Sequence, residues 1–382
     1  MRTERRAIVH IGHKKTGTTF IQNQFHASRS DLLDAGVIYP FPEPNHSFAL
    51  SGLFHQRLGE RAPSPRNRYV LDREGSLSAI NEELQASEWH TLVLCAESLA
   101  GFSREELSAF SKWLTEFVDA TQIVFVVRDP VDWAVSVAQQ HLKTRGDVER
   151  LLNEPEAPRW SNIIRRFAEV FGRGAITVLE YERLAAVRER FAARFALAAG
   201  LSPSVAALLQ GGSDAVNESL SMEAALLLGR YNARVPETEG GRRNPARSGI
   251  EPKAFAGLRG EKFDLPQAAR LQAYAQSRDD VAFLAREFGI TRYSYSISDI
   301  PPSRFTEEVS PAFLDALADR LVGLQGQAIA NRLLADAERM RNRGNEAGAA
   351  AVLRNAAAQF PTDQRVMRAL AAGKGGKGRR VG

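Results

Sequence analysis

Residues 12–19 read Gly-His-Lys-Lys-Thr-Gly-Thr-Thr, between an apolar run, Ala7–Ile11, and a helical pattern from Phe20. The spacing is close to Gly-x4-Gly-Lys-Ser/Thr, a turn whose backbone N–H groups cradle phosphate at a helix N-terminus. Gly12, Gly17 and Thr19 hold their places, but Thr18 fills the lysine slot and Lys15 stands three residues earlier. The N–H groups of Thr16, Gly17, Thr18 and Thr19 would still point into the turn. Their threonine hydroxyls would add donors, and Gly17 lets an anion approach without a Cβ clash. What changes is the oxygen the lysine can reach and the need for a metal. Enzymes that split nucleoside triphosphates hold Mg²⁺ with the loop hydroxyl and an aspartate ending a neighbouring strand. Here the apolar run Gln122–Val127 ends in Arg128, which would repel a metal and attract a second anion. Ser136 lies eight residues on, about two turns along the next helix, where it can face the same anion.

These segments carry a family resemblance. Lys15-Thr-Gly-Thr-Thr-Phe20 resembles the 5′-phosphosulfate loop of sulfotransferases that use 3′-phosphoadenosine 5′-phosphosulfate (PAPS). Arg128-Asp-Pro130 with Ser136 is similar to their 3′-phosphate site, and Val178-Leu-Glu-Tyr-Glu182 to the strand that ends beside the adenine. His10-Ile-Gly12 and Ile38-Tyr-Pro40 look more like bacterial members acting on glycans than animal cytosolic enzymes. The resemblance covers about residues 7–200, half the chain. It implies metal-independent, in-line transfer of a sulfuryl group to a hydroxyl or amine of a carbohydrate or related small acceptor, releasing adenosine 3′,5′-bisphosphate. Lys15 would stabilise charge on the bridging oxygen, and Thr16, Gly17, Thr18 and Thr19 would hold the 5′-phosphate. Arg128 and Ser136 would read the 3′-phosphate. Phe20 and Tyr181 would flank the adenine, although core packing is the plainer role for Phe20.

A general base must take the acceptor proton. Glu97 follows the strand-like Thr91–Ala96, so it is expected at the carboxyl edge of a sheet; its plainer role is a cap or an ion pair with Lys15. His46 sits in Pro42-Glu-Pro-Asn-His46 and has the better unperturbed pKa; its plainer role is an exposed loop histidine. The family uses either residue type. Glu97 is the narrow choice, with Glu43 a distant third. The basic stretch Thr238–Gly249, with Arg242, Arg243 and Arg247, reads as a surface loop. It can close over the donor or grip an anionic glycan, and it has no close match to the family's late basic loop. His10 reads as a core histidine, and with His13 it forms no convincing metal set.

The elements that must position these residues alternate between short apolar runs and helical patterns, the signature of βαβ units and a parallel sheet. The expected fold is α/β: a P-loop-type three-layer domain with a central parallel sheet, followed by a mostly helical C-terminal part. Strands are expected at Ala7–Ile11, Thr91–Ala96, Gln122–Val127 and Ala175–Leu179. A capping box, Ser103 to Glu106, should start a helix running to about Val118. Asp129 and Pro130 should start another running to about Leu142. Residues 203–232, 266–288 and 310–372 read as helical. The expected division is 1–300 for the α/β domain, with a nucleotide core at 7–200 and a helical acceptor side at 201–300. A helical region at 301–372 and a basic tail at 373–382 follow. Ala337, Gly344, Ala349, Ala356 and Pro361 sit where one tetratricopeptide-like hairpin places small residues and a closing proline, a surface that could take a protein partner.

Of 382 residues, 44% are hydrophobic and 25% charged, ordinary globular usage that excludes collagen-like and wholly disordered chains. No apolar run is long enough for a membrane span, and no signal-peptide core follows the first residues. One cysteine, Cys95, excludes an intrachain disulfide, so a reducing cytoplasm is the expected compartment. The net charge of +5 sits in the two ends rather than on a folded face, which argues against nucleic acid. Two other functions fit a loop of this kind. One is a kinase or NTPase with an atypical loop, which needs a carboxylate for Mg²⁺; Asp129 is poorly placed for that. The other is a non-catalytic scaffold, in which Lys15 is dispensable.

Overall fold

The computed structural model describes residues 4–56, 68–144, 148–209, 220–239, 242–244, 255, 258 and 260–374. Five strands, β1 (Arg6–His10), β2 (Val37–Ile38), β3 (Thr91–Cys95), β4 (Ala120–Val127) and β5 (Ile176–Glu180), form one sheet of order β2-β3-β1-β4-β5. Every pairing in it is parallel. Both faces of a parallel sheet are covered by its crossover helices, which is why these strands read as unbroken apolar runs.

Alternate residues feed two separate cores. Ala7, Val9, Leu92, Leu94, Ile123, Phe125 and Val127 face one layer, packed by Leu50, Leu107, Phe110, Trp160 and Phe167 from helices. Ile8, Val93, Cys95, Val124 and Val126 face the other, packed by Ile21 and Phe25 of the helix Thr18–Ala27 and by Phe191, Phe195 and Ala196 of the helix Phe191–Ala198. The result is the three-layer α/β architecture expected from the sequence.

Local signals set the helix starts. Ser103 and Glu106 form the reciprocal capping box of the helix Arg104–Leu114. That helix stops four residues short of Val118, and a turn carries the buried Phe117 and Val118 toward β4. Asp129 Oδ1 accepts the N–H groups of Val131 and Asp132 at 2.9 and 3.1 Å, opening the helix Pro130–Thr144.

Later helices are more broken than the periodicity suggests. The 203–232 pattern is two helices, Pro203–Leu208 and Met222–Arg234, with 210–219 outside the described residues. The 266–288 pattern breaks at Ser277, between Gln267–Gln276 and Arg278–Phe288. The buried Ser277 hydroxyl donates back to the Ala273 carbonyl at 2.7 Å, a bond that competes with the helix ladder. Within the expected surface loop at 238–249, Thr238–Glu239 pairs antiparallel with Arg242–Arg243. The side chains of Arg242 and Arg243, and all of Arg247, lie outside the described residues.

The chain divides into two compact units, 1–256 with 262–306, and 257–261 with 307–382. The sheet and the candidate site belong to the first. The second holds three helices, Pro311–Asn342, Glu346–Gln359 and Gln364–Lys374. Ala337, Ala349 and Leu353 form one small buried cluster between them, and Ala330, Ala356 and Val366 another. Gly344 takes a left-handed φ of 78° in the turn between the first two helices. The last helix runs to Lys374, and residues 375–382 of the expected basic tail lie outside the described residues. Among the described residues no helix is long and apolar enough to cross a membrane.

Candidate active site

The strand order sets the ends of β3, β1, β4 and β5 side by side, where open parallel sheets bind ligands. After β1 the chain turns through Gly12 (φ 60°), Lys15 (φ 67°) and Gly17 (φ 83°). Gly17 immediately precedes the helix Thr18–Ala27, whose first turn carries no side-chain cap and no acidic residue. Its N-terminal positive partial charge favours an anion in the turn. A Cβ on Gly12 would stand 2.4 Å from Thr18 Cγ2, and one on Gly17 would stand 2.5 Å from Phe191 Cζ. Both positions are closed to any side chain.

The loop is tied down from β4 and the helix after it. Arg128 donates from Nη1 to the Lys15 carbonyl at 3.1 Å, and Trp133 Nε1 to the Lys14 carbonyl at 2.9 Å. The Arg128 guanidinium stacks over the Tyr181 ring with its central carbon 4.8 Å from the centroid. Its Nε is buried and has no hydrogen-bond partner in the protein, an orphan donor of the kind a ligand oxygen would satisfy. Tyr181 also packs on Phe191, which meets Phe20 edge-on at 6.0 Å. Phe20, Tyr181 and Phe191 thus form one half-open aromatic wall beside Arg128.

Lys15 is half-buried and donates from Nζ to Gln140 Oε1 at 2.6 Å. Desolvation, helped by the charges of Lys143, Arg128 and Lys14 and opposed by Glu97, lowers its pKa to about 8. Ser136 is half-buried on the helix Pro130–Thr144. It stands one turn from both Trp133 and Gln140, the two residues through which that helix meets the loop. Glu97 follows β3 and accepts the Thr18 hydroxyl on Oε1.

Several expectations change. Thr16 and Thr18 do not offer their hydroxyls to the turn: Thr16 Oγ1 donates to the His13 carbonyl at 2.5 Å, and Thr18 Oγ1 to Glu97. Their backbone amides and the exposed Thr19 hydroxyl remain. His46 is not an exposed loop histidine. It is fully buried against Tyr39 and Phe41, with Nδ1 accepting the Cys95 N–H at 3.3 Å and Nε2 without a partner. Burial lowers its pKa to about 3. Glu43 is engaged by the Tyr69 hydroxyl at 2.7 Å and by Arg68 at 3.0 Å. His10 is buried against Phe195, the core residue expected, with neither ring nitrogen hydrogen-bonded. His13 stacks on Trp133. Among the described residues no three His, Cys, Asp or Glu side chains gather as a metal site.

Gln140, Lys143, Trp133 and Phe191 join the site without belonging to any of the sequence motifs. Gln140 and Trp133 were legible in principle, each one helical turn from Ser136; Phe191 carried no signal, because only the fold brings it to Gly17.

No protein-family model and no curated protein matches the chain. Among solved structures, a sulfotransferase from Alicyclobacillus acidocaldarius is similar over 53% of this chain and 83% of that one, at 16% identity and a TM-score of 0.33.

Proposed function

We propose that this protein is a sulfotransferase that moves a sulfuryl group from PAPS to a hydroxyl or amine of a carbohydrate or related small acceptor. One observation carries the reading. The Arg128 guanidinium lies against the glycine turn, 3.1 Å from the Lys15 carbonyl, stacked on Tyr181 and with a buried Nε that no protein group satisfies. A nucleotide with phosphate on both sides of its ribose needs two anion sites this close; a simple triphosphate needs only the first.

The donor supplies a sulfuryl group whose S–O bond to the bridging oxygen breaks as the acceptor oxygen or nitrogen bonds to sulfur. The protein's part is binding, charge and proton handling. The amides of Thr16 to Thr19 and the helix N-terminus hold the 5′-phosphate. Lys15 offsets the charge that develops on the leaving oxygen, and Arg128 with Ser136 binds the 3′-phosphate. Phe20 and Tyr181 offer the aromatic surface for adenine. Glu97 takes the acceptor proton: its carboxylate stands at the loop, whereas His46 is sealed in the core. The kinase alternative wants a free carboxylate for Mg²⁺, but Asp129 is committed to two helix N–H groups and to the Tyr295 hydroxyl at 2.8 Å.

Thermal unfolding with ligands tests the reading. Adenosine 3′,5′-bisphosphate should raise the Tm without Mg²⁺, and ATP should do so poorly. Stabilisation by ATP that depends on Mg²⁺ would replace it with the kinase reading. Incubation with PAPS and a panel of carbohydrate acceptors, read as a sulfate mass increment, then identifies the acceptor.

A further inference from the structure

We propose that Gln140 is the positioning residue for Lys15, fixing the place of its ammonium through a neutral acceptor. The catalytic consequence rests on the sulfotransferase reading; the positioning itself does not.

The backbone of Lys15 is fixed by its left-handed turn and by Arg128 on its carbonyl. The charges around its half-buried side chain pull in different directions: Lys143, Arg128 and Lys14 repel the ammonium, while Glu97 attracts it. The contact to Gln140 Oε1 at 2.6 Å fixes the end of the chain among them. Gln140 is itself held on a braced helix. Trp133 ties the helix to the Lys14 carbonyl, Gln139 Nε2 donates to the Leu220 carbonyl at 3.1 Å, and Asn232 Nδ2 donates to the Leu142 carbonyl at 2.8 Å. A rigid acceptor of this kind converts a mobile lysine into a placed charge.

The amide matters as well as the position. A carboxylate there would neutralise Lys15 and compete with an anionic ligand. An amide oxygen gives direction and leaves the full positive charge available. Hydrogen bonding to the charged form favours it, so Gln140 also keeps Lys15 protonated against desolvation.

The test needs no turnover. Competitive acetylation of the ligand-free full chain with acetic anhydride, across pH and read by mass spectrometry, reports the titration of Lys15, with the exposed Lys262 as internal control. In Gln140→Leu the Lys15 midpoint should fall from about 8 by about one unit, a tenfold change in proton affinity. In Gln140→Glu, which keeps the volume, it should rise. Unchanged Lys15 midpoints in both variants, with Lys262 behaving as in wild type, overturn the proposal. If Gln140→Leu does not fold, the direction of the Gln140→Glu shift decides alone. Under the sulfotransferase reading, Gln140→Leu should also lower kcat about tenfold or more with little change in KM for the donor, and move the alkaline limb of the rate profile to lower pH. Titration shifts without any wild-type transfer would end that reading and leave Gln140 as the holder of Lys15.

Discussion

Arg128 does two things at once, and replacing it separates them. Its Nη1 supports the loop through the Lys15 carbonyl, and its Nε faces no protein partner. Arg128→Ala removes both. Loss of the loop contact costs about 1.5–3 kcal/mol, the range for a hydrogen bond from a charged donor, and loss of the stack on Tyr181 about 0.5–1 kcal/mol. Those losses lower stability and weaken every nucleotide by a similar factor. Loss of a half-buried cation opposite a phosphate costs a further 2–5 kcal/mol or so, roughly 30-fold to several thousand-fold in affinity. Only ligands carrying a 3′-phosphate feel that second penalty. Isothermal titration at fixed salt, with adenosine 3′,5′-bisphosphate and adenosine 5′-monophosphate in parallel, reads the difference. The ratio of the two Kd values should collapse by about 30-fold or more in Arg128→Ala. Arg128→Lys should recover little of it, because an ammonium cannot hold the Lys15 carbonyl and face a phosphate together. Equal losses for both ligands would mean that Arg128 is only a strut for the loop, and the two-anion argument would fall.

Three more outcomes follow from the same geometry. Gly17→Ala combines a left-handed backbone, about 1–2 kcal/mol, with a Cβ 2.5 Å from Phe191 Cζ, about 1–3 kcal/mol of overpacking; a wild-type Tm in this variant would contradict the loop conformation. Glu97→Gln keeps an acceptor for Thr18, so bisphosphate affinity should hold while transfer falls about 10²–10⁴-fold; full turnover across pH would place the base elsewhere. Burial holds His10, His13 and His46 near pKa 3, below the unfolded value of about 6.5. The unfolded chain therefore binds more protons as pH drops from about 6.5 toward 3, and stability falls through that window. At pH 5.5 the loss is about 1.4 kcal/mol per histidine relative to pH 7.5. Urea unfolding at pH 7.5 and 5.5 reads it, and equal stabilities would refute the burial of these rings.

What could be read from the chain follows the range of the interaction. Strands covered on both faces leave continuous apolar runs, so β1, β3, β4 and β5 were legible within a residue or two, whereas β2, with two residues, is too short to leave a pattern. The capping box at Ser103 and the cap at Asp129 are local and came through intact. The threonine hydroxyls did not, because Thr18 is claimed by Glu97, 79 residues away. His46 misled for the same reason. Its proline-rich surroundings read as an exposed turn, but its N–H donates to the Cys95 carbonyl at 3.1 Å, and that long-range bond draws the ring inside.

The convergence of the site is a consequence of register as much as of motif. His10 pairs with Cys95 on one side and Val124 on the other. Two residues further along each chain, Glu97 comes opposite Gly12, where its Cγ lies 3.2 Å from the space a Cβ would take. On the other side β4 runs three residues past that pairing, so its end rises beside the loop and delivers Arg128 to the Lys15 carbonyl. β5 pairs with that overhang through Val127 and Glu180, which makes Arg128 and Tyr181 neighbours and explains their stack. Three chemically unlike groups therefore meet at one loop because β1 is the middle strand and β4 is the long one. A one-residue deletion in the β4 overhang, at Val126 or Val127, would turn the strand's final side chain to the opposite face. It should abolish bisphosphate binding with Lys15, Glu97 and Arg128 all still present, whereas retained binding would show that the motif alone, and not the register, makes the site.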